Sequence, residues 1–157
     1  MEQPAGNKIT GNPSSHPALS VKWVEDFPDI PLNRNEAYKL RVTSKGVEIE
    51  AITETGVYRA IQTLRQLTEK KGNGIAITGC EITDWPAFRI RGFMQDVGRT
   101  YISTDELKRE IAILARYKIN VFHWHLTENQ AWRLQSKVFP MLNDSVNTTR
   151  QPGKYYT

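Results

Sequence analysis

Residues 119–133, INVFHWHLTENQAWR, decide how this chain is interpreted. The run begins with strand-forming apolar residues, places His123 and His125 two positions apart, and ends in a polar segment that contains Glu128. Side chains alternate between the two faces of a strand, so both imidazoles point to one side and Trp124 points to the other. Apolar burial alone does not select imidazoles at two successive positions of one face. The stretch therefore predicts a strand whose end forms one wall of a functional site.

A second strand and a helix precede this stretch. Residues 88–96 have a strand pattern, and Ser103 with Glu106 forms a capping box at the start of a helix that reaches Lys118. Apolar residues are expected to line one face of this helix at Leu107, Ile111, Leu114 and Tyr117. Strand, helix and strand with short links predict a right-handed βαβ unit with parallel strands, which carries its site at the carboxyl ends of the strands.

The first half of the chain has a separate pattern. Residues 37–51 predict a β-hairpin, because two segments that alternate apolar and polar residues flank a turn at residues 44–46. Apolar residues at helical spacing follow from Thr55 to a glycine-rich stop at residues 72–74, and a further strand is expected over residues 75–82. This β-β-α-β order predicts a small α/β sandwich whose helix covers one face of the sheet.

Pro86 marks the expected domain boundary, because a proline biases the preceding residue, here Trp85, away from helix. We expect a flexible arm over residues 1–17, a small α/β domain over residues 18–84, and β/α units over residues 85–157. The indole of Trp85 is expected to be structural and to pack between the two domains.

Composition excludes several functional classes. The net charge is only +4 and the basic residues are scattered, which disfavours nucleic-acid binding. A single cysteine, Cys80, excludes an internal disulfide framework, and no window approaches the ~18 apolar residues of a membrane span. Residues 1–17 have no secretory hydrophobic core, so the signal of an exported protein is expected to have been removed. The absence of a glycine-rich phosphate loop and of a Gly-x-Ser-x-Gly elbow disfavours nucleotide binding and hydrolase triads.

Polar residues at the strand ends leave alternatives open. Arg99 follows Asp96 by three residues, and its guanidinium suits either two adjacent sugar hydroxyls or a structural ion pair. His123 and His125 are a metal pair or, more simply, hydrogen-bonded core histidines. Glu128 is a general acid or base, or a solvated carboxylate. These residues alone do not choose between the readings.

Two long motifs resemble one family. Residues 91–99, RGFMQDVGR, are similar to the first barrel strand of the β-N-acetylhexosaminidases of glycoside hydrolase family 20. Residues 117–133 resemble the second strand of that barrel, and residues 56–67 match the small α/β domain that precedes it. The resemblance covers residues 36–157.

The resemblance implies roles for four side chains. The arginine that matches Arg99 grips hydroxyls of the terminal N-acetylhexosamine, the residues that match Asp96 and His125 lie in the floor of the same site, and the acid that matches Glu128 supports the catalytic region. This chain departs from the family pattern with Glu128-Asn129 where Asp-Asp is usual, and with Ala131 where glycine is usual.

The family reaction is substrate-assisted retention. The 2-acetamido oxygen attacks the anomeric carbon, an aspartate orients it, and a neighbouring glutamate protonates the leaving oxygen. That Asp-Glu pair lies later in the family's barrel, so we expect no catalytic residue within this chain. The family uses no metal and no other cofactor.

The expected fold is α/β: a small α/β sandwich followed by the first strands and helix of a TIM (β/α)₈ barrel that is incomplete in this chain. The expected protein is an amino-terminal fragment of an exo-glycosidase that removes terminal N-acetylglucosamine or N-acetylgalactosamine from glycans, and the fragment alone is inactive. The alternative is a non-catalytic carbohydrate-binding or interaction module. Unpaired barrel strands predict self-association, and the family implies a periplasmic, extracellular or lysosome-like location.

Overall fold

The computed structural model describes Lys8–Ile9 and residues 18–157, and it divides into two compact units, Met1–Arg89 and Ile90–Thr157. The arm expected over residues 1–17 lies outside the described residues, apart from Lys8–Ile9. No helix in the described part of the chain is long and apolar enough to cross a membrane.

The described residues of the first unit form seven strands and one α-helix. They are β1 (Lys8–Ile9), β2 (Ala18–Trp23), β3 (Tyr38–Thr43), β4 (Gly46–Ala51), α1 (Glu54–Gln66), β5 (Thr68–Lys71), β6 (Gly74–Thr78) and β7 (Cys80–Asp84), with a 3₁₀ turn at Arg34–Glu36. Four strands form a mixed sheet in the order β2-β4-β3-β7, in which only β2 and β4 are parallel. The other three form an antiparallel sheet in the order β1-β6-β5.

Helix α1 covers one face of the four-stranded sheet, as expected. Residues of β3 and β4 alternate between this buried face and the opposite polar face, and the buried side chains include Leu40, Val42, Ile49 and Ala60. Thr53 caps the helix by accepting a hydrogen bond from the backbone N–H of Gly56 at 3.4 Å. The predicted hairpin and helix of the small domain are confirmed.

The strand expected over residues 75–82 is wrong as a single element. The chain leaves β6 at Thr78 and enters β7 at Cys80, and the two strands belong to different sheets. The glycine-rich segment predicted to stop the helix instead turns between β5 and β6, with Gly72 at φ 59°. Periodicity could not separate two consecutive apolar strands, since it reports the alternation of side chains but not the sheet that each strand joins.

Polar side chains also tie the first unit together. Arg59 is buried and pairs through Nε with Glu36 Oε2 at 2.8 Å. The hydroxyl of buried Tyr38 donates to Asp84 Oδ2 at 2.9 Å. Trp85 packs against the small cluster of Phe27, Ile30 and Ala37, which agrees with its expected structural role.

The second unit begins with a βαβ unit. Its elements are β8 (Gly92–Asp96), α2 (Thr104–Arg116), β9 (Val121–His125), the short strands β10 (Thr127–Glu128) and β11 (Ala131–Trp132), and a 3₁₀ turn at Pro140–Asn143. Strands β8 and β9 are parallel, with Asp96 opposite His125. Both halves of the predicted capping box are present at the start of α2. The parallel βαβ unit is therefore confirmed.

The apolar face predicted for α2 is only partly buried. Leu107 packs against Val97 and Tyr156, but Ile111 is 46% exposed and Tyr117 is 74% exposed. The core cluster lies beneath the first turn of α2, so the later apolar side chains are less covered among the described residues.

Polar contacts fix the amino-terminal ends of β8 and β9. Arg91 Nε donates to the carbonyl oxygen of Lys118 at 2.8 Å, and the backbone N–H of Arg91 donates to Asn120 Oδ1 at 2.9 Å. The backbone N–H of Asn120 returns a bond to Arg91 O at 3.0 Å. These residues hold the strands in register at the end opposite to the predicted site.

We expect Gly56→Ala to lower the free energy of unfolding by about 1–3 kcal/mol, the usual cost of overpacking. A Cβ at this position would collide with the carbonyl oxygen of Ala37, although alanine has the higher helix propensity. Chemical denaturation measures the change. Gly74→Ala is the control, because its Cβ would meet only Lys71 O at 3.8 Å. Equal stability of the two variants would contradict the expectation.

Candidate active site

The four side chains predicted for the site lie together at the carboxyl ends of β8 and β9. Arg99 Nε is 3.2 Å from Asp96 Oδ2, and Arg99 Nη2 is 3.2 Å from Glu128 Oε1. His125 Nε2 is 3.8 Å from the same oxygen of Glu128. A guanidinium is thus held between two carboxylates, with an imidazole beside them.

Backbone geometry builds this cluster. The pairing of β8 with β9 continues one residue past Asp96, where the N–H of Val97 donates to His125 O at 3.1 Å. The chain then turns, and the backbone N–H of Arg99 donates to Asp96 Oδ1 at 3.1 Å. On the other side the hairpin of β10 and β11 pairs Glu128 with Ala131 and presents the carboxylate towards Arg99.

Glycine is required at position 98. A Cβ at Gly98 would lie 2.7 Å from Glu128 Cβ, which is closer than Cβ contacts allow, and 3.2 Å from Asp96 Oδ1. The small residue in the motif therefore permits the close approach of the two chain segments that carry the charges.

Electrostatics keeps Glu128 ionised. The backbone N–H of Asn129, which donates to Glu128 Oε2 at 3.0 Å, holds the pKa of the Glu128 carboxyl below its ordinary value, and the hydrogen bond and charge of Arg99 add to this. Arg99 is paired, as one of the two readings of the sequence expected, yet 63% of its side chain is exposed. Its guanidinium can therefore also offer donors to a ligand.

The side chains of His123, Trp124 and Trp132 have different surroundings. The ring of His123 is exposed and lies edge-on to His125, with centroids 5.7 Å apart. Trp124 points to the opposite face, as the strand alternation predicts, and packs edge-on against Tyr156 at 4.6 Å. Trp132 is 36% exposed. The described residues contain no group of three or more histidine, cysteine or acidic residues that could hold a metal ion.

Sequence reasoning assigned no role to Arg133, which is the most completely buried charged residue of the second unit. Burial lowers the pKa of its guanidinium from the ordinary value. Its hydrogen bonds reach Val97 and Gly98, directly before Arg99. The available signal was the alternation of β11, which places Arg133 on the same side as the buried Ala131.

Comparison with protein-family models decides the family. The model of glycosyl hydrolase family 20, domain 2, matches residues 4–85, and the model of the family's catalytic domain matches residues 88–157. The chain belongs to glycosyl hydrolase family 20. The family expected from the two motifs is therefore confirmed, and the mixed α/β units correspond to domain 2 and the start of the catalytic domain.

Curated relatives agree with this assignment. The chain is 42% identical to a β-hexosaminidase of Porphyromonas gingivalis, over 97% of this chain and 18% of that protein. It is 37% identical to a β-N-acetylhexosaminidase of Cellulomonas fimi, over 88% of this chain and 29% of that protein. The chain thus spans less than a third of the length of these relatives.

Solved structures have the same fold. A family 20 β-N-acetylhexosaminidase from Streptomyces coelicolor superposes with a TM-score of 0.75 at 31% identity, over 91% of this chain and 30% of that one. A Vibrio harveyi exo-β-N-acetylglucosaminidase in complex with N-acetylglucosamine superposes with a TM-score of 0.68 at 36% identity, over 80% of this chain and 19% of that one.

We expect Arg99→Gln to raise the pKa of the Glu128 carboxyl, because it removes the neighbouring cation. The folded-state pKa of Glu128 is lowered, so the stability that its carboxylate contributes is present above the unfolded pKa and is lost as pH falls through the folded pKa. A carboxyl-carbon NMR titration of the native protein and the variant measures the change in the pKa of Glu128. Glu106 is the internal control, since its lowered pKa arises from Ser103. An unchanged Glu128 titration in the variant would contradict the described geometry.

Proposed function

We propose that this chain is the amino-terminal part of an exo-acting β-N-acetylhexosaminidase that removes terminal N-acetylglucosamine or N-acetylgalactosamine from glycans. One observation carries the proposal: the exposed guanidinium of Arg99, held between Asp96 and Glu128 at the carboxyl ends of two parallel strands. That edge is where parallel α/β proteins bind and transform their substrates.

The cluster suits a neutral polyol better than an anion. Two carboxylates outweigh the single positive charge of Arg99, so the site does not present an unpaired cation to a phosphate or carboxylate ligand. The fork of N–H donors of Arg99 fits two adjacent sugar hydroxyls, and the oxygens of Asp96 and Glu128 accept hydrogen bonds from such hydroxyls. His125 lies beside the carboxylate of Glu128 and completes the floor of the site.

The acid that protonates the leaving oxygen belongs elsewhere in the protein. Glu128 bonds to the N–H of Asn129 and to Arg99, which favours its ionised form and disfavours proton donation near neutral pH. We assign general-acid catalysis to the glutamate of the Asp-Glu pair in the family's later barrel strands. The reaction is then substrate-assisted retention, in which the 2-acetamido oxygen of the substrate is the nucleophile, and this chain alone is inactive.

The organisation of the protein follows from the same proposal. Residues 18–84 form the domain that precedes the barrel, and residues 85–157 supply the first two β/α units of the catalytic barrel. The proposed substrates of the whole protein are glycans outside the cytoplasm, so we place this protein in a periplasmic, extracellular or lysosome-like compartment. Sequencing the coding region beyond Thr157 tests for the expected Asp-Glu pair.

In the full-length protein we expect hydrolysis of p-nitrophenyl N-acetyl-β-glucosaminide or the corresponding galactosaminide. Arg99→Lys should lower kcat/KM by about 100-fold, because a charged pair of hydrogen bonds to the sugar becomes a single point contact. Initial rates of p-nitrophenol release measure this change.

The matched control is Arg41→Lys, at an exposed arginine of the first unit that pairs with Glu81 at 2.8 Å and should leave kcat/KM unchanged. Equal losses in the two variants would contradict the assignment of Arg99. Cleavage of the glucoside without an acetamido group at a similar rate would overturn substrate assistance. Binding of N-acetylglucosamine by the full-length protein without hydrolysis would favour a carbohydrate-binding module.

We expect the 157-residue chain to self-associate. Several large apolar side chains of the second unit are exposed, among them Met94, Ile113, Tyr117, Val138 and Phe139. Strands β8 and β9 form a two-stranded sheet whose outer edges have no neighbouring strand among the described residues. Light scattering should give a mass above the 18.0 kDa of the monomer. A monodisperse monomer would contradict this expectation.

A further inference from the structure

Arg133 satisfies every donor of its guanidinium with backbone oxygens. A guanidinium has five N–H groups, and Arg133 makes five hydrogen bonds although its side chain is fully buried. The acceptors are the carbonyls of Val97 (2.8 Å from Nε), Gly98 (3.0 Å from Nη2), Arg150 (2.8 Å from Nη2), Gln151 (3.1 Å from Nη1) and Lys154 (2.9 Å from Nη1).

These bonds join three segments of the second unit. Arg133 follows the hairpin that carries Glu128, and its backbone N–H donates to Leu126 O at 2.9 Å. One side of the guanidinium holds the turn after β8, and the other holds residues 150–154. A buried charge is costly unless its hydrogen bonds are complete, so a movement of one segment that breaks its bonds to Arg133 is unfavourable.

The turn after β8 is the part of this arrangement that reaches the site. Val97 and Gly98, whose carbonyls Arg133 binds, lie between Asp96 and Arg99 in the chain. A shift of these two peptides displaces the backbone of Arg99. It also changes the contact between Gly98 and Glu128, the carboxylate that pairs with Arg99.

We propose that Arg133 is a positioning residue that sets where Arg99 presents its donors to the sugar. The inference rests on the proposed function for the role of Arg99 and adds Arg133, which does not itself touch substrate. Lysine cannot replace it, because an ammonium has three donors at one point and cannot reach five carbonyls spread around a planar group.

The test is Arg133→Lys in the full-length protein. We expect kcat/KM to fall by about 100-fold, the effect of a misplaced binding group, and product inhibition by N-acetylglucosamine to weaken in parallel. Arg59→Lys is the control, because Arg59 is also a buried arginine and pairs with Glu36 in the first unit. Both variants are assayed below their unfolding midpoints, with the fold checked by circular dichroism.

A double-mutant cycle separates positioning from general loss of stability. In an Arg99→Ala background, Arg133→Lys should cost about 2-fold or less, because the group that it positions is already gone. Multiplicative losses in the double variant would overturn the proposal, as would a folded Arg133→Lys variant with the kinetics of the native protein.

Two further outcomes keep this inference distinct from the proposed function. If the native protein hydrolyses no N-acetylhexosaminide, the proposed function fails, and a crystal structure of Arg133→Lys still tests the positioning. A displacement of the Arg99 guanidinium by about 1 Å or more supports it, and an unmoved guanidinium refutes it. Should Arg133→Lys not fold, Arg133→Gln takes its place, and failure of both to fold refutes the positioning role in favour of a purely structural one.

Discussion

The parallel pairing of β8 with β9 is the constraint on which the second unit depends. Its register sets Asp96 opposite His125, so the last residues of the two strands supply a carboxylate and an imidazole at one edge. A shift of one residue would send both side chains to the opposite face, where Phe122 packs in the core. The site is therefore a consequence of strand register, and the loops after the strands add Arg99 and Glu128 to a position already fixed.

The second unit buries the charged guanidinium of Arg133, which is unfavourable in free energy unless it is hydrogen-bonded, and this group holds those loops in place. The fully buried guanidinium of Arg133 has five backbone carbonyls as its hydrogen-bond acceptors, and it is stabilised by them only when all five converge on it. Arg59 in the first unit represents the other solution, since a buried ion pair with Glu36 joins a helix to a turn. Neighbouring units of one chain thus use buried arginines in two different ways.

Local rules account for what the sequence predicted. Alternation along a strand, the capping box at Ser103 and the position of polar residues after strands each depend on a few neighbouring residues. They predicted the parallel β8-α2-β9 unit, at whose strand ends Arg99, Asp96, His125 and Glu128 lie, and the family resemblance supplied the roles expected of these four residues. The break at Gly79 and the partners of Arg133 depend on contacts between distant segments, so periodicity could not reveal them. The exposure of Tyr117 was missed for a related reason, because amphipathic spacing predicts a face but not what covers it.

The contacts of Arg91 with Lys118 and Asn120 lie at the opposite end of the strands from the charged cluster. Strand register is thereby anchored at the end of the strands away from the charged cluster. Asn129 and Ala131, which depart from the motif of the family that the chain resembles, lie near the charged cluster at the carboxyl ends of the strands. A change of side chain around the charged cluster can therefore leave the pairing of the two strands intact.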